Sequence, residues 1–243
     1  YPQLTPLLAY HLAYVPLVLR RARHVLCNSE ATAREVHRRI GVPTRQLSVL
    51  KLGFNPGQLR PLGYARQPEL LVLGRHNPHK NLRRLLEALA ALRDQEHRIH
   101  FVGPQDRRYT PKLQLLAQEL GVASRCRWTA WVSNEERLEL LNRARALVIP
   151  SLWEGFGLPA LEAMACGTPV LASTAGALPE VVGETAVPLN PLKPEQMAAA
   201  IDNFLRSNGL QQQLAQKGPQ RAAEFSWTLT SAELKQRLRA LSP

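Results

Sequence analysis

A rhythm of short apolar runs and longer helical segments narrows the folds open to this chain more than anything else in it. Strands are expected at Leu70–Leu73, Ile99–Val102, Cys126–Thr129, Ala146–Ile149, Val170–Ala172 and Ala186–Leu189, with helices between most of them. In "NLRRLLEALAALR" the residues Leu82, Leu85, Leu86, Leu89 and Leu92 fall on one helical face. "TPKLQLLAQELG" opens on Thr110 and Pro111 and closes at Gly121, read as a cap and a stop. "SNEERLELL" places Ser133 and Glu136 at capping-box spacing. Short apolar strands joined by helices imply an α/β fold, a Rossmann-like parallel sheet with helices on both faces.

Upstream, "HVLCN" reads as a strand, Ser29 caps a helix that stops near Gly41-Val42-Pro43, and "LSVLKLG" is a second strand. "FNPGQLRPLGYARQPE" has no period and reads as a linker. Residues 1–55 are therefore expected to be the end of a truncated first domain, 56–68 the linker, 69–226 a complete second domain and 227–243 a closing helix. The sequence opens on Tyr1 with no signal-peptide pattern, which suggests a fragment or a partly recorded chain. "LTPLLAYHLAYVPLVLRRAR" is the one membrane-like stretch. Its apolar run falls short of the roughly 20 residues a spanning helix needs, and Pro6, His11 and Pro16 interrupt it. A core-packed or surface-lying helix is expected.

The formal charge is +12, from 31 Lys and Arg against 19 Asp and Glu. Such a surplus favours anionic partners. The basic residues are scattered, apart from a local crowd at Arg20, Arg21, Arg23, Arg34, Arg38 and Arg39, and aromatics do not alternate with them. Nucleic acid is excluded as a partner on that ground. A solvated basic face is one reading, contact with an anionic membrane surface the other. Cys27, Cys126 and Cys166 are odd in number and far apart, the usage of reduced thiols in a cytoplasmic protein.

The chemistry gathers in "PSLWEGFGLPALEAMACGTPV". "ALVIP" is a strand and "PALEAMACG" a helix, so "SLWEGFG" lies at the carboxyl edge of the sheet, where open α/β sheets bind ligands. Gly155 and Gly157 allow close backbone approach, and free amides at the helix start suit a phosphate. Glu154 and Glu162 suit hydroxyl-rich groups, because an ionised carboxylate accepts from two neighbouring hydroxyls. A ligand with a sugar at each end and phosphates between them satisfies both. Directly after "ELLVL", the loop "GRHNPHKN" opens on Gly74, counted with the donor-binding residues, and supplies Arg75 and Lys80 as cations for a leaving diphosphate. Singly, each feature is commonplace: a loop cation is usually solvated, and a helical Glu is usually an exposed helix former.

Together, "GRHNPHKN", "FVGP", "PSLWEGFGLPALEAMACGTPVLAS", "GALPEVVG" and "FSW" resemble, in order, a retaining glycosyltransferase of family four with the two-domain GT-B architecture. The resemblance covers nearly the whole chain and centres on the Glu-x7-Glu segment. It implies that Arg75 and Lys80 contact the donor diphosphate. It implies too that Glu154 and the amides of Gly155, Phe156, Gly157 and Leu158 hold the donor sugar and phosphate, while Glu162 binds the ribose. Trp131 and Val132 would line the base pocket. Arg75, Lys80 and Glu154 would be catalytic. At the amino end the match departs from the family: a whole acceptor domain is expected there, and His11 and His24 do not stand in matching positions.

The activity expected is hexose transfer from a nucleoside-diphosphate sugar, of GDP-mannose or UDP-glucose type, to a hydroxyl of a glycan or lipid-linked acceptor. No cofactor is expected, and no metal, since no Asp-x-Asp pair is available. The alternative is a non-catalytic module that binds a nucleotide-sugar or a membrane surface, the protein lying in the cytoplasm or at the inner face of the membrane. A nicotinamide enzyme is excluded because the turn after "ELLVL" lacks Gly-x-Gly-x-x-Gly.

Overall fold

The computed structural model describes residues 13–92 and 96–241. Helix α1 (Val15–Arg21) precedes β1 (Val25–Cys27), α2 (Glu30–Ile40) and β2 (Leu47–Val49). β1 and β2 pair in parallel as a small sheet of their own. Ser29 caps α2 by accepting from Thr32 N–H, and the helix ends at Gly41. His24 bonds Ser48 Oγ at 2.8 Å, a link beside the β1–β2 pair, whereas His11 and the start of the membrane-like stretch lie outside the described residues.

The second sheet contains β3 (Glu69–Leu73), β4 (Arg98–Val102), β5 (Cys126–Thr129), β6 (Ala146–Ile149), β7 (Val170–Ser173) and β8 (Val187–Leu189). Its strands run parallel in the order β5-β4-β3-β6-β7-β8. Each lies within one residue of its expected bounds; the apolar runs of the central strands β3, β6 and β7 are buried on both faces, whereas the edge strands β5 and β8 are partly exposed. Alternate residues do face opposite ways. Leu70, Val72, Ile99 and Phe101 pack with α3 (Leu82–Ala90), α4 (Thr110–Glu119) and α8 (Pro194–Arg206). Leu71, Val102, Leu147 and Ile149 pack with α5 (Asn134–Arg143), α6 (Leu158–Ala165) and α7 (Leu178–Val182). Helix α9 (Asn208–Ala222) lies against α6 and α8.

The capping box at Ser133 and Glu136 is present in full. The cap expected at Thr110 is not: Tyr109 takes that position without a side-chain bond. Thr110 Oγ1 instead accepts from Asp106 N–H at 3.0 Å and meets His76 Nδ1 at 3.0 Å, so the buried hydroxyl holds the preceding loop. The last helix, α10 (Trp227–Leu241), reaches back to the first sheet. Thr230 Oγ1 donates to Lys51 O at 2.8 Å and Arg237 Nη2 to Val49 O at 2.9 Å. Among the described residues, no helix is long and apolar enough to cross a membrane.

Candidate functional site

From β3 the chain steps outward through β4 and β5, then returns to the other side of β3 for β6, β7 and β8. Connections that leave adjacent strands in opposite directions open a crevice at their carboxyl ends, here those of β3 and β6. The loops after those two strands meet there. Asn81, in the left-handed region at φ 58°, joins them: its Nδ2 donates to Pro150 O at 2.9 Å and to Pro191 O at 2.7 Å. Leu152 N–H adds a bond to His79 O at 2.7 Å.

Lys80 ends a short turn, Pro78–Lys80, and its stem crosses Gly74, where a β-carbon would lie 3.2 Å from Lys80 Cε. Its Nζ sits 2.6 Å from Glu154 Oε1, and Ser151 Oγ donates to the same oxygen at 2.6 Å. The side chains of Lys80 and Glu154 are only 17% and 13% exposed, so the pair is largely shielded from water. The two residues expected to hold different parts of a ligand thus contact each other. Arg75 is exposed and lines the same small crevice as Gly74, Lys80 and Ser151. It also acts on Asp106, whose pKa is pulled to about 2, chiefly by Arg108's side chain and N–H.

Phe156 buries its ring edge-on against Phe225, centroids 5.9 Å apart. Gly157 takes φ 105° ahead of α6, a conformation that favours glycine, and a β-carbon there would also press Leu178 Cδ2 at 2.7 Å. Among the described residues, the N–H groups of Phe156, Gly157 and Leu158 find no acceptor. Three consecutive amides at the positive end of α6 are therefore open to an anion.

Glu162 lies one turn into α6, and Arg137 Nη1 donates to its two oxygens at 3.1 and 3.0 Å. Burial pushes the Glu162 carboxyl above its ordinary range even though Arg137 pulls the other way. Each acid of the Glu-x7-Glu segment thus has its own cation, Lys80 for the first and Arg137 for the second. Sequence reasoning missed Arg137. The Ser133 cap located the start of α5, but nothing local says that α5 lies beside α6. Trp131 is 75% exposed and Val132 is half-buried; both belong to the loop–helix unit that carries Arg137. A separate cavity of about 450 Å³ lies between α3 and α4, lined by His76, Arg84, Tyr109 and Leu152 among others, and neither acid borders it. Among the described residues, no cluster of three or more His, Cys, Asp or Glu is placed to hold a metal ion.

Residues 61–221, which include both loops and both acid–cation pairs, match the family model described as Glycosyl transferases group 1. The chain belongs to that family. This group 1 chain is 35% identical to the MMP alpha-(1->4)-mannosyltransferase of Mycolicibacterium hassiacum, over 94% of its own length and 57% of that protein's. It is 30% identical to the O-antigen chain mannosyltransferase B of Escherichia coli, over 86% of itself and 58% of the relative. It superposes on sucrose-phosphate synthase from Thermosynechococcus elongatus with a TM-score of 0.86 at 26% identity, over 96% of this chain and 62% of that one. The group 1 chain therefore spans somewhat more than half the length of these relatives, and its α/β architecture is of the GT-B type.

Proposed function

We propose that this chain binds the donor in a hexosyltransferase that moves a hexose from a nucleoside-diphosphate sugar to a hydroxyl of a glycan or lipid-linked acceptor, with retention at the anomeric carbon. The observation that carries the reading is the meeting of Lys80 and Glu154 beside three free amides at the reversal point of the sheet. The bond between the hexose and the diphosphate breaks with its electron pair leaving on a phosphate oxygen, while the acceptor's hydroxyl oxygen bonds the anomeric carbon and its proton passes to the departing diphosphate. Arg75, Lys80 and the amides of Gly155 to Leu158 stabilise that charge where it develops. Glu154 accepts from hexose hydroxyls and Glu162 from the ribose diol, while Trp131 and Val132 face the base. No metal is required in this scheme, since Arg75 and Lys80 supply the positive charge. The two mannosyltransferase relatives favour GDP-mannose as the first donor to test, with UDP-glucose second.

Titration calorimetry with a panel of nucleotide-sugars tests the reading, and binding of none of them would end it. Donor hydrolysis and transfer, assayed with and without chelator, separate the enzyme from a module that binds without reacting. The location proposed with this reading is the cytoplasm, with peripheral contact at the inner face of a membrane. That placement is supported by free Cys27, Cys126 and Cys166 and by exposed Tyr14, Leu17 and Val18 beside Arg20 and Arg21.

A further inference from the structure

We infer that Ser29, Thr32 and Glu180 are positioning residues: they set the Gly155–Phe156 peptide from the first α/β segment, so that docking of α2 and binding at the amides of the α6 start are coupled. The inference rests on the reading of those amides as the seat of the donor's second phosphate and hexose.

Ser29 is buried, and its Oγ lies 2.7 Å from Gly155 O. Thr32 Oγ1 lies 3.2 Å from the same carbonyl. The two hydroxyls also approach each other at 2.9 Å, but a hydroxyl pair can be served from either side. The carbonyl can only accept, so at least one of the two hydroxyls donates to it, and the other is in reach to donate to it or to its neighbour. In a trans peptide the C=O of Gly155 and the N–H of Phe156 point in opposite directions. Holding the carbonyl on α2 therefore aims the Phe156 N–H away from α2. Phe156 is the first of the three free amides, and its ring is locked against Phe225, so little besides this peptide plane can set its direction.

Glu180 holds the other end of the contact. Its carboxylate accepts from Glu30 N–H at 2.8 Å and from Ala31 N–H at 2.7 Å, and Arg34 Nη2 donates to it at 3.2 Å. An anion at those orphan amides suits the positive end of α2. Glu180 lies on α7, whose preceding residue Ala177 donates to Glu154 O at 3.0 Å. Successive carbonyls of one loop are thus held from two sides, Glu154 O by the second sheet's own loop and Gly155 O by α2. Reciprocity follows: whatever binds the amides more tightly with α2 docked also tightens the docking.

The test uses the 243-residue chain, whichever of GDP-mannose and UDP-glucose it binds more tightly, and the matching nucleoside monophosphate. The monophosphate lacks the hexose and the second phosphate. In the double variant Ser29→Ala/Thr32→Ala, affinity for the sugar nucleotide is expected to fall about tenfold while affinity for the monophosphate stays unchanged. Thr32→Ser, which keeps the hydroxyl, retains the wild-type affinity. Should the double variant not fold, Glu180→Ala loosens the same contact and predicts the same selective loss. An equal loss for both ligands, or no loss, overturns the inference. If the unaltered chain binds neither sugar nucleotide, the donor reading fails. The positioning claim is then judged without ligand, from the labelled Phe156 amide resonance. That resonance shifts in the double variant if Ser29 and Thr32 set the peptide, and an unmoved resonance refutes the claim.

Discussion

Glu162 is the residue at which burial and pairing pull in opposite directions, and burial prevails: its carboxyl sits above the ordinary value of 4.5. A folded-state pKa that is raised favours the fold below the ordinary Glu range, and that increment is lost as pH rises through the raised value. Binding runs the other way. A ribose diol needs the ionised acceptor, so nucleotide-sugar affinity falls as pH drops through that same raised value. Calorimetry over a descending pH series is expected to show this fall, and Glu162→Gln to flatten it. Glu162→Ala removes hydrogen bonds to a charged acceptor worth roughly 1.5–3 kcal/mol, about ten- to a hundredfold in affinity. Arg66 makes the contrasting case, a half-buried cation with a structural task. Its guanidinium donates to Leu141 O, Asn142 O, Ala144 O, Gly167 O and Thr168 Oγ1, gathering carbonyls at the ends of α5 and α6. Arg66→Ala strands these acceptors and is expected to cost about 2–3 kcal/mol. In a chain of this size that lowers the melting temperature by roughly 5–10 °C, with donor affinity unchanged in the folded variant.

Between elements, the loop after β6 owes its shape to the loop after β7. Gly176 sits at φ 66°, and a β-carbon there would lie 2.7 and 2.8 Å from Glu154 O and N. Gly176→Ala must therefore push Glu154 off Lys80 while leaving the sheet intact. The expected outcome is a loss of nucleotide-sugar affinity of about tenfold or more, with an unaltered far-UV circular dichroism spectrum. Helix α1 raises a different question, since it buries none of its own residues completely and ends on Arg20 and Arg21. If its exposed apolar side and those arginines meet an anionic membrane, the chain sediments with vesicles containing acidic lipid and not with neutral ones. Charge reversal at both arginines is expected to abolish the sedimentation.

At the scale of the whole molecule, donor binding should stabilise the fold by mass action. A nucleotide-sugar at 100 times its dissociation constant adds about 2.7 kcal/mol, which raises the melting temperature by roughly 5–10 °C; the same rise with chelator present is the outcome expected of metal-free binding. Much of this architecture was legible in the linear chain. The six strands and the capping box at Ser133 follow from short apolar runs, a helical period of 3.6 residues and local hydrogen bonds, which a short stretch of sequence carries within itself. That the carboxylates, glycines and cations stand in the loops at the carboxyl edge of the sheet was legible too, because each of those loops directly follows a strand. What the linear chain did not reveal is which of them touch. That Lys80 lies on Glu154, that Arg137 rather than a solvent molecule faces Glu162, that Arg66 gathers two helix ends and that Glu180 reaches the start of α2 all depend on segments far apart in sequence. Thr110 shows the same limit in reverse: its local pattern says cap, but burial beside His76 gave its hydroxyl another partner. Local propensity is written in neighbouring residues, whereas the pairing of buried charges and hydroxyls is decided only when packing removes water and each polar group must take whichever partner is left within reach.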